Sequence, residues 1–199
     1  MRPPSDPVRS TVHDRLSPLR GEHRDVLLRA AAIGREFDVD VLAELSRTSA
    51  ARVRAALRAA SRLQLVERVE GAAPRYRFRH ALTRDAVYGE LVASQLQPLH
   101  REIAFAIERL AARRRPELEE LAYHWWAAGD AIRGARYNEE AGDRAAALHA
   151  HDQAVRAYRR ALDVLPERSA VRARLERKIA DIAAASATVS FARQPDDGA

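Results

Sequence analysis

In two adjacent stretches this chain changes from a helical to a strand-like spacing of its apolar residues. Leu65 to Glu70 is β-branched and alternating, and Arg75 to His80 alternates without a break. In the second stretch Tyr76, Phe78 and His80 fall on one face, with Arg75, Arg77 and Arg79 on the other. Gly71 to Pro74 between them has turn composition, which is short enough to fold the two strands onto each other. On both sides the apolar residues return to spacings of three and four, the period of a helix with one buried face. A mainly α protein with a β-hairpin set between helices is the expected class.

Composition narrows the function classes. The 199 residues are 47% apolar and 31% charged with only 8 Gly and 9 Pro, which suits one or two globular domains. No cysteine occurs, so a disulfide scaffold, a thiolate zinc site and a cysteine nucleophile are excluded. Met1 to Ser10 carries Pro and charge where a signal peptide needs an apolar core, and no apolar run reaches 18 residues. A soluble cytoplasmic protein with no membrane partner is expected.

Net charge is +6 and unevenly placed: Thr48 to Arg115 holds 14 Arg against 6 acidic residues. Lys178 is the one lysine. Heavy use of Arg and Ala also follows from a GC-rich coding sequence, so the basic balance alone does not establish a nucleic-acid partner.

Local signals divide the first half into helices. Asp25 to Ile33 has helical spacing, with Gly34 where a left-handed C-terminal cap belongs. Phe37 precedes Asp38, a good N-cap, and lies five positions before Leu42, as in a hydrophobic staple opening a helix over Val39 to Leu45. Thr48 or Ser49 caps a third helix that runs to about Leu63, with Val53, Leu57 and Ala60 inward. Three helices followed by a two-stranded hairpin are the plan of a winged helix. Helical spacing resumes through Leu82, Val87 and Leu91, then Leu99, Ile103, Ala106, Ile107 and Leu110. The basic run Arg113 to Arg115, closed by Pro116, marks the expected domain boundary.

The second half reads as helical hairpins. Leu118, Leu121, Ala122 and Trp125 follow the first helix of a tetratricopeptide repeat, and Gly129-Asp130 supplies a turn. Ala154, Tyr158, Ala161 and Pro166, spaced by 4, 3 and 5, match its second helix. Counting back, Asn138, Ala141, Gly142 and Ala145 fall on first-helix positions. Ala131 to His149 is therefore expected to be one helix shared by two repeats, with Gly142 a tolerated weak point. A last helix over Ala170 to Ala185 would begin a third repeat and leave an apolar face uncovered or packed on another chain. The expected domains are 10–112, a winged helix with trailing helices; 116–187, the tetratricopeptide-like repeats; and 188–199, a flexible tail.

Two segments carry a family resemblance: Leu27-Leu28-Arg29-Ala30-Ala31-Ala32-Ile33-Gly34-Arg35-Glu36-Phe37 and Tyr76-Arg77-Phe78-Arg79-His80-Ala81-Leu82-Thr83-Arg84-Asp85-Ala86-Val87-Tyr88. They resemble the region after the ATPase core of large bacterial signal-transducing (STAND) ATPases, including MalT-like and other LuxR-type regulators and ATPase-cyclase fusions. His124, Gly129-Asp130 and Ala141 to Ala145 continue the resemblance, which spans roughly Val12 to Pro166. It implies a nucleotide-binding domain before this region, in cis or in trans, a winged helix that docks on it, and repeats that take a protein or effector. No Gly-x-x-x-x-Gly-Lys-Ser/Thr occurs and Lys178 lies in no glycine-rich loop, so this chain has no means to cradle nucleotide phosphates. A family fragment or reduced paralogue that binds no cofactor by itself is expected, with ATP or ADP reached through a partner ATPase domain.

The resemblance implies a nucleotide-sensing role for His80, beside Arg79, because related switches place a phosphate-contacting His in a Met-His-Asp motif there. Arg79-His80-Ala81 keeps the His and lacks the Asp. The plainer alternative is a half-buried His hydrogen-bonded beneath Tyr76 and Phe78. Arg54, Arg58 and Arg62, four apart on the third helix, could follow DNA phosphates, with Arg75, Arg77 and Arg79 on the hairpin adding to the stripe. A solvated Arg face is the competing reading. Trp125 is expected in the repeat core and Trp126 partly exposed. His149 and His151 lack a third metal ligand, so no metal site is expected. Glu119-Glu120 and Glu139-Glu140 diverge by about 100° on a helix and form no acid–base dyad, and no Gly-x-Ser-x-Gly elbow occurs. The expectation is a non-enzymatic regulatory and interaction module. The alternative is a small DNA-binding transcriptional regulator using the Arg-rich helix 50–62.

Overall fold

Asp38 and Ser49 set the first helix boundaries by satisfying backbone N–H groups that a helix start leaves open. In the computed structural model, which describes residues 15–71, 74–112 and 117–191 with side chains to 184, Asp38 Oδ1 accepts from the Asp40 N–H at 2.7 Å. Ser49 Oγ accepts from the Arg52 N–H at 3.3 Å. The chain divides into two compact units, Met1–Arg115 and Pro116–Ala199. The expected boundary at Arg113 to Pro116 lies outside the described residues, as do the first residues of the expected domain 10–112.

The front unit runs α1 (Glu22–Ile33), β1 (Glu36–Asp38), α2 (Val39–Ser46), α3 (Ala50–Arg62), β2 (Val66–Val69), β3 (Arg75–Phe78), α4 (Ala81–Tyr88) and α5 (Ala93–Leu110). Its sheet is antiparallel with order β1-β3-β2. The expected two-stranded hairpin is thus corrected to three strands. β1 pairs Phe37 with Tyr76, and β2 pairs Arg68 with the same Tyr76. β1 forms because β3 offers it a free edge, and Phe37 reaches Phe78 with ring centroids 5.6 Å apart. Phe37, Leu42, Leu57, Leu65, Phe78 and Ile103 are among its fully buried side chains.

Gly34 also departs from expectation. Its backbone is extended (φ 163°), because the chain leads straight from α1 towards β1. The left-handed cap occurs instead at Arg47 (φ 51°), whose N–H reaches the carbonyls of Ala43 and Glu44. Leu82, expected on an inner face, is exposed on α4.

The rear unit comprises α6 (Leu118–Ala127), α7 (Ala131–Ala147), α8 (His151–Val164) and α9 (Ala170–Phe191). Successive helices pack on one another across short turns, the arrangement of helical hairpins. Gly129 (φ 82°) makes the first turn, and Asp130 caps α7 by accepting from the Arg133 N–H at 3.0 Å. Leu118, Leu121, Ala122, Trp125, Ala154, Tyr158 and Ala161 are all buried, while Pro166 is exposed just past the end of α8.

Gly142 is not a tolerated weak point. A Cβ there would stand closer than 3.0 Å to three ring carbons of Tyr158. The glycine therefore lets α7 and α8 approach closely enough to bury that ring. The 188–199 segment is corrected in part: α9 continues through Phe191, and 192–199 lies outside the described residues.

Candidate functional site

Two surfaces and one interhelical network place the polar side chains. In the front unit, α3 carries Arg52, Arg54, Arg58 and Arg62 and no acidic residue. All four are exposed, and none has an ion-pair partner among the described residues. Alanines at 51, 55 and 59 lie between them on the same face, leaving the guanidinium groups standing above a low surface.

The hairpin arginines are placed differently. Arg77 Nε lies 2.7 Å from Glu67 Oε1, and Arg79 Nε lies 3.5 Å from Glu67 Oε2. Arg75 faces Glu36 at 3.9 Å. The hydrogen bond from Arg77 is the main influence holding the Glu67 carboxyl below the usual carboxylate range. The structure therefore does not join Arg75 and Arg77 to an unpaired stripe with Arg54, Arg58 and Arg62.

His80 occupies the N-cap position of α4, with extended backbone and no side-chain capping bond. It is exposed rather than half-buried beneath Tyr76 and Phe78, because the strand ends at Phe78 and the alternation with it. Among the described residues of this unit the buried histidine is His100, whose Nε2 lies 3.0 Å from the Tyr88 hydroxyl. Burial, and secondarily the charge of Arg84, hold its pKa below the ordinary value.

In the rear unit, an ion network joins α7, α8 and α9. Arg174 donates to both Glu139 oxygens at 2.9 and 2.7 Å, and Lys178 Nζ donates to Glu139 at 2.8 Å. Lys178 also donates to both Asp143 oxygens at 2.6 and 2.9 Å. The Tyr158 hydroxyl donates to Asp143 Oδ1 at 2.7 Å. The Arg174 hydrogen bond is the largest influence lowering the Glu139 pKa, while burial, then the Asp143 bond, raises that of Tyr158. Glu139 is thus tied to α9 and its neighbour Glu140 faces Arg144 at 3.8 Å. Spacing of four on each helix, Glu139 with Asp143 and Arg174 with Lys178, is the sequence signal for this network.

The second surface is a groove of about 380 Å³ lined by α6, α7 and α8. Tyr123 (44% exposed) and Trp126 (53%) form its wall, with ring centroids 6.2 Å apart. Arg160 Nη2 meets Glu119 Oε1 at 3.1 Å across its rim, and Asp163 is exposed without an ion-pair partner among the described residues. Asn138, only 7% exposed, lines the same groove, and its side chain has no hydrogen bond to a described residue. In the sequence Asn138 falls on a repeat position, and nothing near it signals the groove.

The His149 and His151 rings lie 6.1 Å apart, and no group of three metal-ligating side chains occurs among the described residues. No described helix is long and apolar enough to cross a membrane. No protein family, curated protein or solved structure matches the chain.

Proposed function

We propose that this chain is a non-catalytic regulatory module in which a winged helix docks on a nucleotide-binding domain and tetratricopeptide-like hairpins take a protein partner, as in the signal-transducing ATPases it resembles. The observation that carries the reading is the front-unit topology. The order α1-β1-α2-α3-β2-β3 with sheet order β1-β3-β2 suits a winged helix, and β3 leads directly into an exposed His80. An exposed imidazole at a helix N-cap can donate a hydrogen bond to a phosphate offered by a neighbouring domain. The hairpins of the rear unit and its open aromatic groove support the second half of the reading.

The test is to fuse the chain behind the nucleotide-binding domain of a MalT-like ATPase and titrate ADP. Docking predicts tighter ADP binding than by that domain alone, and His80→Ala removes the gain. Unchanged affinity in the wild-type fusion overturns the docking reading.

The unpaired arginines of α3 favour one second reading, a DNA-binding regulator. Four phosphate contacts predict a slope of log K against log salt of roughly −3 to −4. Absence of a mobility shift with duplex DNA at low salt rejects it.

A further inference from the structure

The groove of the rear unit has the chemistry of a receptor for a guanidinium group. Tyr123 and Trp126 are partly exposed with their rings 6.2 Å apart, and aromatic rings attract a planar cation more strongly than a neutral group. Asp163 supplies a carboxylate with no ion-pair partner among the described residues, and the Asn138 amide, on a residue only 7% exposed, adds a polar group to the lining. A polar side chain more than nine-tenths buried, without a hydrogen bond to a described residue and open to a groove, is satisfied by water or by what enters the groove. Glu119 and Asp163 against Arg160 leave the lining at net −1, within a chain whose overall charge is +6.

The rim already shows what it accepts: Arg160 places its own guanidinium on Glu119 at 3.1 Å. Elsewhere in the same unit Arg133 stacks over the Trp125 ring at 4.3 Å. A volume of about 380 Å³ falls within the range of small-molecule and side-chain pockets.

We infer that this groove takes an arginine side chain of a partner polypeptide, stacked on Trp126 and Tyr123 and hydrogen-bonded to Asp163 and the Asn138 carbonyl oxygen. The inference rests on the reading of the repeats as a protein-binding surface and narrows it to one recognition element. Arginine fits better than lysine because its flat head stacks and its fork of five donors reaches two acceptors at once.

The experiment pans a random dodecapeptide display library against the full chain, then measures binding of the synthetic consensus peptide by fluorescence anisotropy. Enrichment of peptides sharing an arginine is expected. Replacing that arginine by citrulline, or making Asp163→Asn or Trp126→Ala, should each weaken binding at least about tenfold. Asp163 and Trp126 are exposed, so both variants keep the fold, which far-ultraviolet circular dichroism checks. No enrichment of any peptide overturns the protein-binding reading of the repeats together with this inference. Enriched peptides without arginine, or binding that Trp126→Ala weakens and Asp163→Asn leaves unchanged, overturn the guanidinium assignment alone. Dimerisation of the chain that Trp126→Ala abolishes, in place of peptide capture, also overturns it.

Discussion

Replacing Gly142 by alanine sets two well-measured effects against each other. Within a helix the change should gain about 1 kcal/mol of propensity. Against this, the new methyl would stand closer than 3.0 Å to three carbons of the Tyr158 ring. Ordinary contact, 3.4–4 Å, requires ring and methyl to separate by on the order of 1 Å. The ring has little freedom to comply: it is 2% exposed and its hydroxyl is bonded to Asp143 at 2.7 Å. Overpacking of this kind costs about 1–3 kcal/mol, and breaking a hydrogen bond to a charged group adds about 1.5 kcal/mol or more. Net destabilisation of about 1.5–3.5 kcal/mol follows once the gain in propensity is subtracted. Urea unfolding followed by tryptophan emission measures it, since both tryptophans, Trp125 and Trp126, lie in the rear unit. In a Tyr158→Leu background the clash disappears and the same substitution should stabilise by up to about 1 kcal/mol. Gly142→Ala that stabilises the otherwise unchanged chain, or the same effect in both backgrounds, refutes the close-approach argument.

Three further outcomes follow from other side chains. His100 is held below its ordinary pKa of 6.5, so on acidification the unfolded chain takes up the proton first. Stability of the front unit should be level above about pH 6.5 and decline below it, and His100→Gln should flatten the decline in thermal denaturation. Glu139 has a folded pKa lowered from 4.5, so its contribution is complete above about that pH and is lost as pH falls through the lowered value. Acid unfolding read by tryptophan emission should lose this component in Glu139→Gln. Arg47 holds a left-handed conformation on an exposed cap. Arg47→Gly relieves about 1–2 kcal/mol of backbone strain against about 0.5–1 kcal/mol of unfolded-chain entropy, for a gain of roughly 0.5–1 kcal/mol in urea denaturation.

The sequence made visible the features whose causes are local. Asp38 and Ser49 cap helices because each side chain reaches a backbone N–H two or three residues on. Tyr76 and Phe78 turn inward because alternation alone assigns their face. The misses have non-local causes. β1 is three residues long, and its pairing partner, Tyr76, lies 39 positions away, so nothing near Phe37 announces a strand. The expected left-handed cap at Gly34 failed for the same reason, since the chain must run extended to reach β3. Gly142 and Tyr158 both lay on repeat positions, yet the cost of a methyl between them depends on how closely α7 and α8 approach. The groove was half legible: Trp126 was expected to be partly exposed, but Asn138 becomes meaningful only when Asp163 and Tyr123 line the same space.

The arginines show most clearly what pairing decides. Read along the chain, Arg54, Arg58, Arg62, Arg75 and Arg77 form one basic stripe. The fold separates them, because β2 places Glu67 directly opposite Arg77 in the ladder while α3 has no acidic residue to offer. A guanidinium already bonded to a carboxylate at 2.7 Å must give up that bond before it can neutralise a phosphate. If duplex DNA binds, Arg54→Ala and Arg58→Ala should each reduce the salt slope by roughly one unit and weaken affinity similarly across sequences. Arg77→Ala should leave the slope nearly unchanged, because the charge it removes is already compensated by Glu67. Glu67→Gln, which frees Arg77 and Arg79, should steepen the slope if the hairpin lies within reach of the backbone. Equal losses from Arg54→Ala and Arg77→Ala would show that the Glu67 pair opens on binding, and the division of the stripe argued from the ladder would be wrong.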